Sequence, residues 1–445
     1  MGSQKFRVPY SKTYLEFTLP GTMQASVIAS QPVKPILDVP AAIRTALAHP
    51  TGTKPIRELA GSATTVCIVF TDITRACPDH LLVPPVLLEL EQAGVRDEDI
   101  TLLCGVGMHR PSTQAEKITK LGSRIVERYR VIDNEPQNPL VLADLGVMPG
   151  GMPVILHTAV LEADLVIATG IVEPHQYAGY SGGWKTVAIG AAGEKLIAYT
   201  HGPRFIDHPG TRLGRIEGNP FQEAVAQVAR RANLRFIVNV VLDDDKQILR
   251  VMAGEPAQTF QELVPFARSI YEVNIPHQYD IAIGGVGFPK DTNLYQASRA
   301  ASYLFFAPTA VVRPGGILII PARCEEGAGY GVGEQRFLAA MRDAPNIQSI
   351  MENARRDGYP PGQQRAFVMA KVLEQARVII VGSECPELVA ACKMIPAATM
   401  EAALELARIE LGPACKVLIV PHALLTLPVV CPVIPATQPD LQSTA

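Results

Sequence analysis

Nothing in this sequence spells out a membrane span, a secretory leader or a cysteine-held metal. No apolar run reaches the roughly 18–20 residues a bilayer crossing needs. The opening MGSQKFRVPYSKTYLEF lacks the apolar core of a secretory signal. None of the eight cysteines forms a C-x-x-C pair, and some lie inside apolar runs such as Val66-Cys-Ile-Val-Phe, where Cys packs as a small hydrophobe. A reduced, cytoplasmic protein without a cysteine-ligated metal is expected. A net charge of −3 gives no basic surface for nucleic acid or an anionic membrane, so neither is an expected partner. Aromatic residues make up only 6% of the chain, with one Trp, at position 184, and no repeat of 20–50 residues is present.

What remains is a large apolar core: 48% hydrophobic and 19% charged residues over 445 positions, enough for two domains. Apolar runs alternate with polar loops and helical stretches. Val66-Cys-Ile-Val-Phe leads to Thr71-Asp72, then a helix over Asp79–Gln92 that Asp79 is placed to cap. Ile100-Thr-Leu-Leu-Cys leads to Gly107-Met-His109. A second unit starts at Tyr279-Asp-Ile-Ala-Ile and continues through Gly316-Ile-Leu-Ile-Ile, Val378-Ile-Ile-Val and Val417-Leu-Ile-Val. This pattern predicts an α/β protein of two α/β domains with mostly parallel sheets and an active-site cleft between them. The expected division is 1–272 for the domain carrying the central segment and 273–425 for the domain closing the cleft, with a hinge near 271–278 and a flexible tail over 426–445.

The chemistry concentrates in Gly170–Asn219, which follows the apolar run after Asp164 and holds His175, Lys185, His201 and His208 among many glycines. Gly179-Tyr-Ser-Gly182-Gly183-Trp-Lys185-Thr186 nearly matches a phosphate-binding loop, but Trp184 stands where that pattern needs glycine, so a looser anion-binding turn is the better reading. Asp72, Arg75, His109, His175 and Lys185 all fall just beyond predicted strands, where parallel sheets bind ligands. Each lone histidine is ordinarily structural, and Asp72 and Arg75 could simply be an ion pair. Two histidines beyond neighbouring strands suit removal of a proton from one face of a carbon and its return to the other. His201 has no Cys, Asp or His at ligand spacing, so a protein-only zinc site, and with it a zinc hydrolase, is disfavoured.

Taken together, Asp72-Ile73-Thr74-Arg75, Gly107-Met-His109-Arg-Pro-Ser-Thr, His175-x-x-Ala-Gly-x-Ser-Gly-Gly-x-Lys185, His201, Asn239–Lys246 and Asn293-x-Tyr295-Gln296-x-x-Arg299 resemble the nickel-dependent lactate racemase family, in order and over most of the chain. The resemblance implies a racemase or epimerase inverting C2 of a 2-hydroxy acid. It implies a nickel-pincer nucleotide (nickel pyridinium-3,5-bisthiocarboxylate mononucleotide), made by separate cofactor-synthesis enzymes and joined covalently to Lys185. His201 would be the nickel ligand from the protein, and His109 and His175 the acid/base pair while the C2 hydride moves to the pincer ring and back. Asp72, Ile73, Thr74, Arg75, Gly182, Gly183, Gln296 and Arg299 would hold the cofactor, and Arg75, Tyr295, Gln296 and Arg299 the substrate. The alternative is a non-redox nucleotide- or carboxylate-binding protein on the same scaffold. Four features depart from the lactate pattern: Trp184, Arg299 in place of lysine, loss of the lactate enzyme's aromatic residue that aligns near Gln363–Gln364, and Ala188-Ile-Gly in place of Leu-Pro-Gly. They open the substrate beyond lactate to a larger or differently polar 2-hydroxy acid.

Overall fold

The computed structural model describes residues 4–431. Its described residues form two six-stranded sheets, each wrapped by helices. The first runs, edge to edge, Ile248–Gly254, Leu234–Leu242, Leu165–Ile171, Val66–Thr71, Ile100–Gly105 and Arg130–Asp133. All its neighbours are parallel except the Leu234–Leu242/Ile248–Gly254 hairpin. Val66–Thr71 and Leu165–Ile171 are buried at every position. That is why they read as unbroken apolar runs: helices cover both faces of a parallel sheet.

The second sheet runs Ile395–Ala397, Arg377–Val381, Val312–Pro321, Tyr279–Gly284, Lys416–Val420 and Gln24–Val27, all parallel. The expected α/β architecture with mostly parallel sheets is therefore present. The expected boundaries need revision at both ends. Gln24–Val27 is the edge strand of the second sheet, and Phe6, Val8, Phe17 and Met23 pack with Ile281, Ile317 and Ile419 in its core. The chain's start thus belongs with its end, because Phe6, Val8, Phe17 and Met23 gain more from that core than from solvent. Likewise Leu427–Val430, assigned above to a flexible tail, pairs in parallel with Glu272–Ile275, the stretch assigned to a hinge. The rest of that tail, 432–445, lies outside the described residues. No helix among the described residues is long and apolar enough to cross a membrane.

One helix start also differs. Asp79–Gln92 is helical, but Asp79 does not cap it. Its carboxylate is wholly buried and receives Lys120 Nζ at 2.6 Å and the hydroxyls of Thr71 (2.7 Å) and Thr169 (2.5 Å). A buried charge satisfied on both oxygens ties the helix to the sheet instead.

Candidate active site

The site is built beyond the carboxyl ends of three central strands. After Val66–Thr71 the chain turns, and Thr74 donates its backbone N–H (2.7 Å) and its hydroxyl (2.5 Å) to Asp72 Oδ1. Asp72 Oδ2 is left for His109, whose Nδ1 lies 2.6 Å away. The Asp72–Arg75 ion pair considered from sequence gives way to this Asp72–His109 pair. Burial alone would raise the Asp72 carboxyl, but the His109 hydrogen bond and charge, with Arg75 and Thr74, hold it well below the ordinary carboxylate range. An ionised Asp72 accepts a hydrogen bond from the Nδ1–H of His109, which in the neutral ring leaves the lone pair on Nε2.

His175 sits in a two-residue hairpin, Pro174–His175 against Gly179–Tyr180. The hairpin demands Gly179: its φ is +75°, and a Cβ there would meet the Arg215 carbonyl oxygen at 2.1 Å. His175 Nδ1 accepts the backbone N–H groups of Tyr177 (3.3 Å) and Ala178 (3.1 Å). With Nδ1 filled as an acceptor, the proton of the neutral ring is on Nε2. Burial, then the charges of Lys185, Arg75 and Arg299, keeps the ring neutral by pushing its pKa well down. The two histidines therefore offer opposite Nε2 states, one acceptor and one donor.

Lys185 opens the short helix Lys185–Ala188 and is half-buried. Burial, then Arg75, pushes its amine down to about 7. Lys290, in the loop after Tyr279–Gly284, is pushed to about 7 by burial, then Arg299 and Arg75. Sequence reasoning missed it because its place depends on the second unit folding over the first. Gly182 and Gly183 are better explained by packing than by a ligand cradle. Their φ values are +79° and +55°, and a Cβ would meet Asn239 Oδ1 at 2.7 Å or the Phe260 ring at 2.9 Å. The Gly183 N–H already donates to Asn239 Oδ1 at 2.7 Å, so it is not available to a phosphate.

His201 ends the helix Glu194–Thr200, with Nδ1 2.9 Å from the Ile197 carbonyl oxygen. Burial pushes its pKa down to about 4. A neutral ring donating from Nδ1 to a carbonyl has its Nε2 lone pair free, the state a metal-binding imidazole needs. No group of three or more His, Cys, Asp or Glu stands together as metal ligands among the described residues. A metal on His201 would take its other donors from a bound group.

The second unit supplies the far wall. Helix Leu294–Phe305 is capped by Asn293, which accepts the Gln296 N–H at 3.0 Å. Arg299 on this helix reaches Gln296 Oε1 (3.4 Å) and the Tyr303 hydroxyl (3.2 Å), while its Nε has no acceptor. Ser302 donates to Gln176 Oε1 at 3.0 Å, and Tyr359 to the His201 carbonyl at 2.9 Å, joining this wall to the His175 and His201 loops. Arg365, Gln176 and Ser302 went unnoticed in the sequence. The one available signal was that Arg365 shares a helix face with buried Met369 and Val372. An open cavity of about 670 Å3 runs along the edge strand Arg130–Asp133 of the first sheet, lined by Lys117, Arg130, Asp133 and His157 and by none of the groups described above.

Comparison with known proteins identifies the family. Residues 10–214 match the model of the lactate racemase N-terminal domain, and residues 275–427 that of the lactate racemase C-terminal domain. The chain is 30% identical over 417 residues to a lactate racemase of Thermoanaerobacterium thermosaccharolyticum, covering 93% of this chain and 96% of that protein. It is 33% identical over 384 residues to one of Lactiplantibacillus plantarum, covering 86% and 89%. The lactate racemase apoprotein structure from Thermoanaerobacterium thermosaccharolyticum superposes with a TM-score of 0.85 at 28% identity, over 96% of this chain and 100% of that one. A Thermotoga maritima protein solved by structural genomics shares the fold, with a TM-score of 0.67 at 17% identity, over 88% and 97%. Matched by both domain models in order, and by relatives over nearly its whole length, this chain belongs to the lactate racemase family and is an isomerase.

Proposed function

We propose that this protein inverts C2 of a 2-hydroxy acid, lactate or a related acid, using a nickel-pincer nucleotide joined to Lys185. The residues fit that group. Lys185 carries an amine that is half-neutral near pH 7, as acylation by a thio-acid arm requires. His201 keeps a free Nε2 and has no protein co-ligand, as expected where soft sulfur and carbon donors fill the remaining positions. Asp72, Ile73, Thr74 and Arg75 from the first unit, and Gln296 and Arg299 from the second, would hold the nucleotide. The group, when bound, supplies the acceptor that takes up the C2 hydride and gives it back.

The protein supplies the proton and charge handling. His109 Nε2 takes the proton of the substrate hydroxyl, and Asp72 stabilises the resulting imidazolium. His175 Nε2–H donates a hydrogen bond to the substrate oxygen from its own side and polarises the carbonyl of the keto acid, and His109 gives its proton back to that oxygen when hydride returns to the opposite face. Arg75 and Arg299 neutralise the carboxylate, with Tyr295 and Gln296 orienting it.

The observation that carries this reading is the opposite state of the two histidines: one Nε2 free to accept a proton, the other bearing one. The test is chiral chromatography of single-enantiomer 2-hydroxy acids incubated with protein co-expressed with the cofactor-making enzymes and nickel. Inversion that disappears in both His109→Ala and His175→Ala supports the reading. Reversible ligand binding without any inversion would favour the non-redox binding protein.

A further inference from the structure

Three buried hydrogen-bond donors have no acceptor where the two units meet beside His175: Gln176 Nε2, Arg299 Nε and Arg365 Nε. Arg365, on helix Gln364–Gln375, is only 6% exposed. Its Nη1 donates to Ser302 Oγ at 2.8 Å and more weakly to Gln176 Oε1 at 3.4 Å, and its guanidinium lies over the Tyr295 ring, 5.7 Å from the centroid. All of these partners are neutral. Among the described residues no carboxylate forms an ion pair with Arg365 or with Arg299.

A guanidinium is always charged and donates only. Taken out of water without an anion, it is strongly destabilising. Elsewhere in this chain such burial is compensated: Lys120, equally buried, has Asp79. The chemistry missing at Arg365 is an anionic oxygen that can accept from Nε and from the Gln176 amide together. Arg75 and Arg299 already account for the carboxylate next to C2, so Arg365 implies a second anionic group.

We propose that the substrate is a 2-hydroxy dicarboxylate whose distal carboxylate docks on Arg365 and Gln176. This rests on the function proposed above and narrows its substrate class. A nucleotide phosphate offers the same anionic oxygens. The substrate is the better occupant because Gln176 directly follows His175, the residue assigned to the substrate oxygen, and Tyr295 beneath Arg365 lies on the same wall.

The test uses calorimetric titration of the cofactor-free protein with (S)-2-hydroxyglutarate, (S)-malate, (S)-2-hydroxybutyrate and nicotinate mononucleotide. At least one dicarboxylate should bind about tenfold or more tighter than the monocarboxylate. Arg365→Met should abolish that preference, Arg365→Lys should keep part of it, and neither should alter mononucleotide binding. Equal affinity for mono- and dicarboxylates in the unaltered protein overturns the proposal, and needs no variant to fold. A mononucleotide weakened by Arg365→Met while dicarboxylates are unaffected also overturns it, and assigns the cluster to phosphate. The loaded enzyme separates the two levels. Inversion of monocarboxylates as efficiently as dicarboxylates defeats this inference and leaves the racemase reading intact. Inversion of no 2-hydroxy acid by Lys185-loaded protein defeats the racemase reading, while the titrations still judge the dicarboxylate preference.

Discussion

Lys120 and Arg365 are cations of equal exposure, 6%, held in opposite ways. Lys120 Nζ reaches the Asp79 carboxylate at 2.6 Å, the Cys77 carbonyl at 2.7 Å and the Thr71 hydroxyl at 2.9 Å. Every donor has a partner, and the cluster sits between sheet and helices in the first unit. Arg365 has only neutral partners and an Nε without any. The first arrangement is complete in itself and its work is to hold the fold. The second is incomplete, and the lack lies beside the candidate site. Burial alone does not distinguish structural charge from ligand-binding charge; satisfaction does.

The comparison can be broken most forcefully at Lys120. Lys120→Met leaves Asp79 charged, buried and unpaired, which should cost about 3–5 kcal/mol in urea unfolding of the cofactor-free protein. Wild-type stability in that variant would show that the cluster is not structural. His109→Ala should do the reverse, lowering kcat of the loaded enzyme by about 10²–10⁴-fold. Its melting temperature should fall far less than that of Lys120→Met, because the His109 side chain is 43% exposed and Asp72 keeps both hydrogen bonds from Thr74.

Two pH profiles sharpen the contrast. The Asp72 carboxyl is depressed in the folded state, so its contribution to stability is present above the ordinary carboxylate range and is lost as pH falls below about 4. Asp72→Asn should flatten that acid loss in a urea titration series, and an unchanged acid limb would count against the His109 pair. Lys185 runs the other way. Its folded value of about 7 lies below the ordinary 10.5, so the penalty for burying its charge is full below pH 7 and disappears as pH rises toward 10.5. Cofactor-free protein should gain stability across that window, and Lys185→Met should lose its share of the gain and leave that of Lys290, which is depressed to the same value. The smallest effect belongs to Arg365→Met, which removes an uncompensated charge and should leave unfolding stability within about 1 kcal/mol of wild type. A loss as large as that of Lys120→Met would make Arg365 structural after all.

The sequence carried the parts of this molecule that depend on local pattern. Strands covered on both faces read as continuous apolar runs, and the polar loops after them, at Asp72, His109 and His175, lie where a parallel sheet places its ligand-facing ends. What stayed hidden was partnership across sequence distance. Asp72 and His109 are 37 residues apart, and nothing in either loop marks the other as its partner. Asp79 reads as a helix cap because Asp is common there, yet tertiary contacts with Lys120 and Thr169 claim it. Gln24–Val27 joins a sheet whose adjacent strand begins at Lys416, nearly the whole chain away. Arg365 was invisible for the same reason: its neighbours Gln176 and Ser302 come from different units.

The most direct test of the central claim is a paired measurement on one sample of protein co-expressed with the cofactor-making enzymes and nickel. Peptide mass mapping of Lys185 is set beside the rate at which single-enantiomer 2-hydroxy acids lose their chirality. A covalent adduct on Lys185 is expected, with a racemisation rate that scales with the fraction of Lys185 modified. Full racemase activity in protein whose Lys185 is unmodified, or replaced in Lys185→Ala, would contradict it.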